Sequence, residues 1–242
     1  MNFSMEISPK TDLLTLPNLK DVYITFLPGG NYKETADKAD ELVKKGFNPI
    51  PHFPARSITN SAQLKEYVLR CKDVGVKQVL VIGGSREPVG DYESSIQLLE
   101  TGYFEGMKIG IAGHPEGSPD ISDSVLEKAM KDKKPYADYI VTQWLLNPQP
   151  IIDFISKQSV PVHVGITGPL KITSLIKFAN IVGAKNSINF IKSNFSKALD
   201  LMKPKDPNDL IEKIKNHTNH FHIYTFGGLK ETNQWLKDNN YA

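Results

Sequence analysis

Polar and ionisable residues stand where several apolar, strand-like runs of this chain end. Glu6 falls near the end of FSMEI, His52 follows NPIP, His114 follows MKIGIAG, and Gln143 lies inside ADYIVTQWL. A carboxylate at such a position is partly removed from water, and burial raises the pKa of a carboxyl group. A raised pKa predicts that Glu6 acts as a general acid near neutral pH. An ion pair with a nearby lysine such as Lys10 explains the same residue equally well.

The two histidines at these positions leave several interpretations open. A neutral imidazole at His52 or His114 can hydrogen-bond a ligand carbonyl or phosphate, and it can equally serve the loop backbone. Together with Glu6 they have the chemistry of metal ligands, but no tight ligand spacing supports a metal site, and we predict none. Cys71 is the only cysteine, which excludes a multi-cysteine metal site, and its helical context predicts a buried thiol.

Two glycine pairs follow the fourth and the eighth strand-like runs. They are Gly83-Gly84, followed by Ser85, and Gly227-Gly228. Glycine lets backbone N–H groups approach a phosphate, although glycine at a strand end can also serve the turn alone. Neither a GxGxxG nor a GxxxxGK[ST] pattern occurs, so a Rossmann or P-loop nucleotide site is not supported. A phosphate-binding barrel lyase stays open as an alternative that rests on the glycines alone.

The elements that must position these residues alternate along the chain. Helical patterns separate eight runs of strand length, which we predict over residues 3–7, 21–27, 47–52, 77–84, 107–113, 137–145, 160–166 and 220–226. Such alternation favours a parallel sheet with right-handed crossovers. Eight units favour closure into a (β/α)₈ TIM barrel, one domain over residues 1–242, and an open doubly wound sheet is the alternative. In a barrel the ligand site lies at the carboxyl ends of the strands, where the polar residues stand.

The composition excludes some classes of protein. Of 242 residues, 40% are hydrophobic and 23% charged, as in an ordinary globular enzyme, and the net charge is only +2. The charge gives no argument for nucleic acid or an anionic membrane as partner. No run reaches the roughly 18 apolar residues of a membrane span, and the first residues show no secretory signal. We therefore expect a cytoplasmic protein with a small-molecule ligand. A homo-oligomer is compatible with the sequence, which does not define it.

Short motifs in seven of these segments resemble the methylenetetrahydrofolate reductase family, and one of them is VHVGITGPLKITSLIKFANIVG, which resembles its Pro-Gly-Ile-x-Pro segment and the helix of that segment. FSMEISPK resembles its opening strand through Ser4, Glu6, Pro9 and Lys10. VYITFLPGG resembles its second strand, NPIPHFPAR its third, and IGIAGHPEGSP its fifth strand and the loop that follows. ADYIVTQWLL and HFHIYTF resemble its later strands. The matches run in order from residue 3 to about residue 230, so the resemblance covers nearly the whole chain.

The resemblance implies a TIM barrel that carries FAD and transfers hydride to a folate. NAD(P)H would reduce the flavin, which would reduce 5,10-methylenetetrahydrofolate to 5-methyltetrahydrofolate for one-carbon metabolism and methionine biosynthesis. It implies that Glu6 is the general acid that protonates N10 and that Gln143 binds the folate. The positions that match cofactor-binding residues are Thr25, His52, Gly84, Ser85, Ala112, His114, Ser118 and Lys131.

The departures from the family pattern concentrate on the flavin contacts. The family's Arg-Gly-Asp on the fourth strand reads Gly83-Gly84-Ser85, so an arginine and an aspartate are missing. A tyrosine is replaced by His114, and a histidine by Ser118. The resemblance therefore also allows a flavin-free folate-binding enzyme, a tetrahydrofolate-dependent one-carbon or methyl transfer protein, or a non-catalytic folate-binding or partner-binding barrel.

Overall fold

Eight parallel strands form the centre of this protein. The computed structural model describes residues 1–27, 29–118, 121–182 and 204–242. The barrel strands are β1 Asn2–Ile7, β2 Asp21–Ile24, β3 Asn48–Pro54, β4 Gln78–Ile82, β5 Lys108–Gly113, β6 Tyr139–Trp144, β7 Val162–Thr167 and β10 His220–Tyr224. They close in the order β1-β10-β7-β6-β5-β4-β3-β2, so the predicted TIM barrel is confirmed. That residues 1–242 form a single domain stays a prediction.

Helices connect most of the strands. They are α1 Tyr32–Lys44, α2 Ser61–Asp73, α3 Ser95–Leu99, α4 Asp123–Lys133, α5 Pro148–Ser156, α6 Ile172–Val182, α7 Asn208–Ile214 and α8 Leu229–Asp238. The part of the predicted sixth helix beyond residue 182 lies outside the described residues. Within the described ranges, no helix combines the length and the apolar character that crossing a membrane requires.

Local sequence fixes where several helices begin and end. The side chains of Asn31, Asn60 and Asn147 each accept a hydrogen bond from a backbone N–H in the first turn of α1, α2 and α5. Gly46 and Gly75 follow α1 and α2 with φ of 84° and 92°, the left-handed conformation that glycine adopts without strain. The predicted glycine stops of these two helices are thereby confirmed.

Two features differ from the predicted alternation. The connection from β1 to β2 holds only a short 3₁₀ helix, Leu13–Thr15, because Pro9 and Pro17 restrict helix growth in so short a segment. A small antiparallel pair, β8 Leu170–Lys171 and β9 Pro204–Lys205, lies outside the barrel and was not predicted. Neither feature changes which strand ends meet at the mouth of the barrel.

The barrel interior is more polar than its outer face. In β10, Phe221 and Ile223 belong to the apolar core between the strands and the helices. Successive side chains of a strand alternate between faces, so His220, His222 and Tyr224 point to the other side, into the barrel. A second apolar cluster fills part of that interior; it comprises Tyr23, Ile50, Leu80, Tyr139 and Val141. The buried polar side chains beside it include Ser4, His163, His220 and His222.

A bulge in β6 depends on a glycine in β7. The register between these strands shifts between Val141 and Trp144, which brings Trp144 opposite Gly165. A Cβ on Gly165 would lie 2.5 Å from the carbonyl oxygen of Thr142 and 2.7 Å from that of Gln143. The bulge and any larger residue at position 165 therefore exclude each other.

We expect Gly165→Ala to lower the free energy of unfolding by about 2–3 kcal/mol, because backbone atoms must move to admit the methyl group. Gly83→Ala is the matched control, since nothing lies within 4 Å of its added Cβ, and it should change stability by less than about 0.5 kcal/mol. Urea unfolding curves of the two variants measure the difference. Equal stability of both variants would show that the bulge adapts to the larger residue.

Candidate active site

Glu6 lies near the carboxyl end of β1, between two histidines. The Nε2 atom of His52 on β3 is 3.5 Å from Glu6 Oε2, and the Nε2 atom of His222 on β10 is 3.7 Å from the same oxygen. The carboxylate side chain keeps 21% exposure, whereas the His52 and His222 side chains keep 6% and 0%. Glu6 is therefore open to the mouth of the barrel, while its partners are enclosed. Lys10 is exposed and is not among the described charged partners of Glu6.

In the described part of the chain, the two Nε2 atoms that face Glu6 have no hydrogen bond. Distances of 3.5 and 3.7 Å exceed that of a normal N–H···O bond. Among the described residues, neither His52 Nε2 nor His222 Nε2 has a hydrogen-bond partner, and both atoms are buried. A buried polar atom without a partner is destabilising by about 1–3 kcal/mol. Two such atoms that converge on one carboxylate indicate a place where a polar group of a ligand fits.

The charge state of Glu6 differs from the sequence-based expectation. Burial alone would raise the pKa of Glu6, but the imidazoles of His222 and His52 outweigh it and hold the pKa below its usual value. Burial lowers the pKa of His52 more strongly than the charge of Glu6 raises it. The predicted upward shift of the Glu6 pKa is therefore wrong. At neutral pH the site holds an ionised carboxylate beside a neutral His52, which makes Glu6 a proton acceptor.

Behind Glu6, a hydrogen-bonded chain runs from His222 into the barrel. His222 Nδ1 lies 3.1 Å from Ser4 Oγ, and His220 Nε2 lies 3.2 Å from the same hydroxyl oxygen. Ser4 and His222 have no exposed surface. The Ser4 hydroxyl therefore links two imidazoles, one of which faces Glu6.

Gln143 lies in the bulge of β6, on another side of the mouth. Its Oε1 atom is buried and has no partner among the described residues, which makes it a second candidate ligand contact. The neighbouring carbonyl of Thr142 accepts a hydrogen bond of 2.9 Å from the Tyr224 hydroxyl. Tyr224 pairs with Glu6 in the barrel register. Burial, and after it the charge of Glu6, raise the pKa of Tyr224, so this phenol stays protonated.

A cluster of apolar side chains lies beside the polar residues around Glu6, and we call this cluster the apolar wall. Its fully buried members are Trp144, Ile172 and Leu175, and the partly buried side chains packed against them are Leu146, Leu170, Ile176, Tyr224 and Phe226. The wall is separate from the core between the strands and the helices. Because Tyr224 belongs to it, the wall reaches the neighbourhood of Glu6. Polar side chains around Glu6 and apolar packing around Tyr224 therefore lie next to each other at this end of the barrel.

The predicted cofactor-binding residues do not all come together. Thr25 directly follows β2, where its backbone N–H donates to the Ile7 carbonyl at 2.9 Å beside Glu6. Gly84 has φ of 91°, so the backbone conformation of the turn is by itself a sufficient reason for a glycine at this position. Ser85 is exposed. Ser118 is partly exposed in the loop after β5. Thr25 thus lies at the mouth, whereas Ser85 and Ser118 are loop residues without a described contact to Glu6.

Lys131, the lysine of the predicted set, lies on the exposed face of α4. Lys131 is exposed, but Lys133 is buried and its Nζ donates to the Ala112 carbonyl at 3.3 Å. Burial lowers the pKa of Lys133 to about 8. His114 lies in the same region, and burial, assisted by the charge of Lys133, lowers its pKa to about 4. Lys131 and Lys133 are two helical positions apart and face different sides of α4, and a cofactor-binding role for Lys131 stays a prediction.

The prediction of site residues from the sequence did not include Ser4 or the two histidines of β10, His220 and His222. The signal was present: in HFHIY, polar residues alternate with apolar ones in a strand that helices cover on its outer face. The polar side of such a strand must face the barrel interior. In the described part of the chain, no three His, Cys, Asp or Glu side chains have the arrangement of a metal site, and His114 does not join Glu6 and His52.

Comparison with known proteins shows the fold. No family model matches this chain. A mutant tryptophan synthase alpha-subunit from Pyrococcus furiosus aligns over 98% of this chain and 95% of its own, with 14% identity and a TM-score of 0.58. A putative phosphonomutase from Burkholderia cenocepacia aligns over 99% and 93%, with 7% identity and a TM-score of 0.56. A glycerol uptake operon antiterminator regulatory protein from Listeria monocytogenes aligns over 92% and 91%, with 8% identity and a TM-score of 0.50. At these identities the likeness is one of fold alone.

The predicted methylenetetrahydrofolate reductase activity is wrong. The similar structures that carry an enzyme name are tryptophan synthase chains and a putative phosphonomutase, and none of these is by name a folate or flavin oxidoreductase. The folate-dependent alternatives and the assignment to one-carbon metabolism fall with it. Two of the three proteins described above are enzymes by name, in agreement with the broader prediction of an enzyme. FAD, NAD(P)H, a cytoplasmic location, homo-oligomer formation and the absence of a nucleic-acid partner stay predictions.

Proposed function

We propose that this chain is an enzyme that removes and returns a proton on a small molecule bound at the mouth of the barrel, with Glu6 as the general base. One observation carries the proposal. An ionised carboxylate open to the mouth is flanked by two buried imidazole nitrogens that have no hydrogen-bond partner among the described residues. Unsatisfied polar atoms of this kind are expected where a ligand supplies the missing contacts.

The chemistry follows from the charge states. Glu6 is ionised, so Oε2 can accept a proton from a carbon, oxygen or nitrogen of the substrate. The bonding electron pair stays on the substrate, which becomes an anion. A neutral imidazole with its proton on Nε2 donates a hydrogen bond to that negative charge, and His52 is the nearest candidate at 3.5 Å from Glu6 Oε2. Return of the proton to another atom of the substrate completes an isomerisation. In an elimination, the electron pair forms a double bond while a leaving group departs with its bonding pair, and Glu6 afterwards releases the proton.

The walls of the mouth define the kind of substrate. Glu6, His52 and the free Oε1 of Gln143 call for a molecule with several polar atoms on one side. The apolar wall calls for an aromatic or aliphatic part on the other side. The names of the similar barrels, tryptophan synthase and a putative phosphonomutase, support an enzyme that makes or breaks bonds without hydride transfer. No step of the proposal uses a flavin, a nicotinamide or a metal.

Deuterium exchange tests this function without a known substrate. The purified protein is incubated in D₂O with a small-molecule extract of cells, and mass spectrometry follows each compound. We expect at least one compound to gain deuterium or to change in mass. Glu6→Gln should abolish this, because general acid–base groups contribute about 10²–10⁴-fold to rate.

Glu66→Gln is the matched control, since Glu66 lies on α2 and its side chain is 50% exposed. That variant should retain the full exchange. An extract in which the wild-type protein changes no compound would contradict the proposal. The same holds if Glu6→Gln exchanges deuterium as fast as the wild type.

A further inference from the structure

The chain of polar groups behind Glu6 crosses the barrel from one end to the other. Glu6 pairs with Tyr224 at the carboxyl end of the strands, whereas His220 is the first residue of β10. A strand rises about 3.3 Å per residue, so His220 and Tyr224 are separated by about 13 Å along the strand. Ser4 and His222 have no exposed surface, but His220 keeps 9% exposure. The chain therefore begins at the mouth and ends near solvent at the opposite end.

We infer that His222, Ser4 and His220 form a proton path between Glu6 and solvent at the amino-terminal end of the barrel. The contacts are His222 Nδ1 to Ser4 Oγ at 3.1 Å and Ser4 Oγ to His220 Nε2 at 3.2 Å. His222 Nε2 faces Glu6 Oε2 at 3.7 Å. Each imidazole has two nitrogens and each hydroxyl can donate and accept, so every member can receive a proton on one side and release one on the other.

The transfer balances in protons. A proton from water binds His220 Nδ1, and His220 releases its Nε2 proton to Ser4 Oγ. The Ser4 hydroxyl gives its own proton to His222 Nδ1, and His222 releases its Nε2 proton to the carboxylate of Glu6. The serine and both imidazoles end neutral, and Glu6 has gained one proton. The same steps in reverse carry a proton from Glu6 to solvent, and no bond between heavy atoms changes.

A proton path of this kind is needed when a bound ligand covers the mouth of the barrel. A ligand that contacts Glu6, His52 and the apolar wall separates the carboxylate from water on that side. Glu6 must still lose the proton that it takes from the substrate, and the chain offers the route away from the ligand. In this respect the inference rests on the proposed function, whereas the proton movement itself does not require a substrate.

A neighbouring histidine supplies the matched control. The ring of His163 stacks on that of His220 with centroids 3.6 Å apart, and each residue keeps 9% exposure. Its described hydrogen bond is to the Tyr23 hydroxyl at 3.4 Å, so it stands beside the path rather than in it. The path therefore predicts different effects for two histidines of equal burial and similar packing.

Nuclear magnetic resonance of the ¹⁵N-histidine-labelled protein tests the inference. Ring ¹⁵N shifts should show the proton of His222 on Nε2 and that of His220 on Nε2, so that Ser4 accepts from one ring and donates to the other. Exchange of the His222 ring proton with water is then measured in the Glu6→Gln background, which removes the carboxylate at the mouth. Adding Ser4→Ala or His220→Gln should slow this exchange about tenfold or more, whereas adding His163→Gln should leave it unchanged.

Two results would overturn the path. One is equal exchange in all of these variants, which would mean that protons reach His222 from the mouth alone. The other is a pair of imidazoles that both donate to Ser4, which the wild-type shifts reveal even if a variant fails to fold. Because the measurement needs no substrate, its outcome is independent of the deuterium experiment that tests the proposed function.

Discussion

Lowering the pH from 7 to 4 should destabilise the wild-type protein by about 6 kcal/mol more than a variant in which both His163 and His220 are glutamine. Burial, and after it the neighbouring imidazoles His220 and His222, lower the pKa of His163 to about 2. Burial lowers the pKa of His220 to about 4, although the charge of Asp21 opposes the shift. Both histidines are therefore neutral in the folded protein at a pH where an unfolded chain protonates them.

The sign of the effect follows from proton binding. An ordinary histidine in the unfolded chain titrates near pH 6.5, so the unfolded state binds more protons than the folded state below that pH. Stability therefore rises with pH from about 2 to about 6.5 and is lost as the pH falls through this window. One pKa unit corresponds to about 1.4 kcal/mol. Between pH 7 and pH 4, two histidines whose pKa values are lowered by about two to three units within this interval together give a difference of about 6 kcal/mol.

The surroundings of the pair explain why protonation is so unfavourable. The two rings lie face to face at 3.6 Å, so a charge on one ring opposes a charge on the other. The polar and titratable groups that face the pair from the packed strands are Ser4 of β1, Asp21 and Tyr23 of β2, Tyr139 of β6 and His222 of β10. Asp21 is the one carboxylate in this set, and its charge is too weak to offset burial.

Urea unfolding at pH 7 and at pH 4 measures this prediction. The quantity compared is the loss of unfolding free energy between the two pH values, so any constant loss of packing in the glutamine variant cancels. His217→Gln is the control, because His217 is exposed on the segment before β10. Between pH 7 and pH 4, the His217→Gln variant should lose as much unfolding free energy as the wild type. A double glutamine variant with the wild-type acid sensitivity would refute the assignment to the stacked pair.

Replacing Trp144 with alanine should lower the free energy of unfolding by about 3–5 kcal/mol. Trp144 is 1% exposed and packs with Ile172 and Leu175 in the apolar wall. The ring also contacts Phe226 edge-on, with centroids 6.0 Å apart. Removal of the indole leaves a cavity that its buried neighbours fill only in part.

A comparison with Trp235 separates packing from hydrogen bonding. Trp235 Nε1 donates to Asn208 Oδ1 at 3.0 Å, whereas Trp144 Nε1 has no partner among the described residues. Trp235→Phe should therefore lose about 1 kcal/mol more than Trp144→Phe, for the broken hydrogen bond. Urea unfolding of all three variants tests this order. If Trp144→Ala loses less than about 1 kcal/mol, the apolar wall is not packed as described.

The secondary structure of this protein follows closely from local sequence. All eight barrel strands lie within two or three residues of their predicted bounds, because most of the apolar runs end at a glycine, proline or polar residue. The asparagine caps and the glycines at positions 46 and 75 act through contacts within one or two turns. Strand count and alternation then favour the closed barrel, and with it the position of Glu6 and His52 at one end.

Only the tertiary structure shows which face of a helix is buried and which charge state a buried side chain adopts. Lys131 and Lys133 are two positions apart, about 200° around a helix, and their sequence alone does not define which of the two is buried. The pKa of Glu6 depends on imidazoles from β3 and β10, which burial arguments on Glu6 alone leave out. The pKa shift of Glu6 therefore has the opposite sign to the one expected from burial alone.

By itself, the sequence determined the barrel, the ends of its strands and the candidate carboxylate Glu6. Only the tertiary structure decided what Glu6 contacts. Ser4 and His222 are 218 residues apart, and they meet because barrel closure pairs the first strand with the last. No local pattern encodes such a contact, since it depends on which side chains of distant strands face the same interior at the same height. The chemistry proposed for this mouth, and the proton path behind it, rest on that juxtaposition.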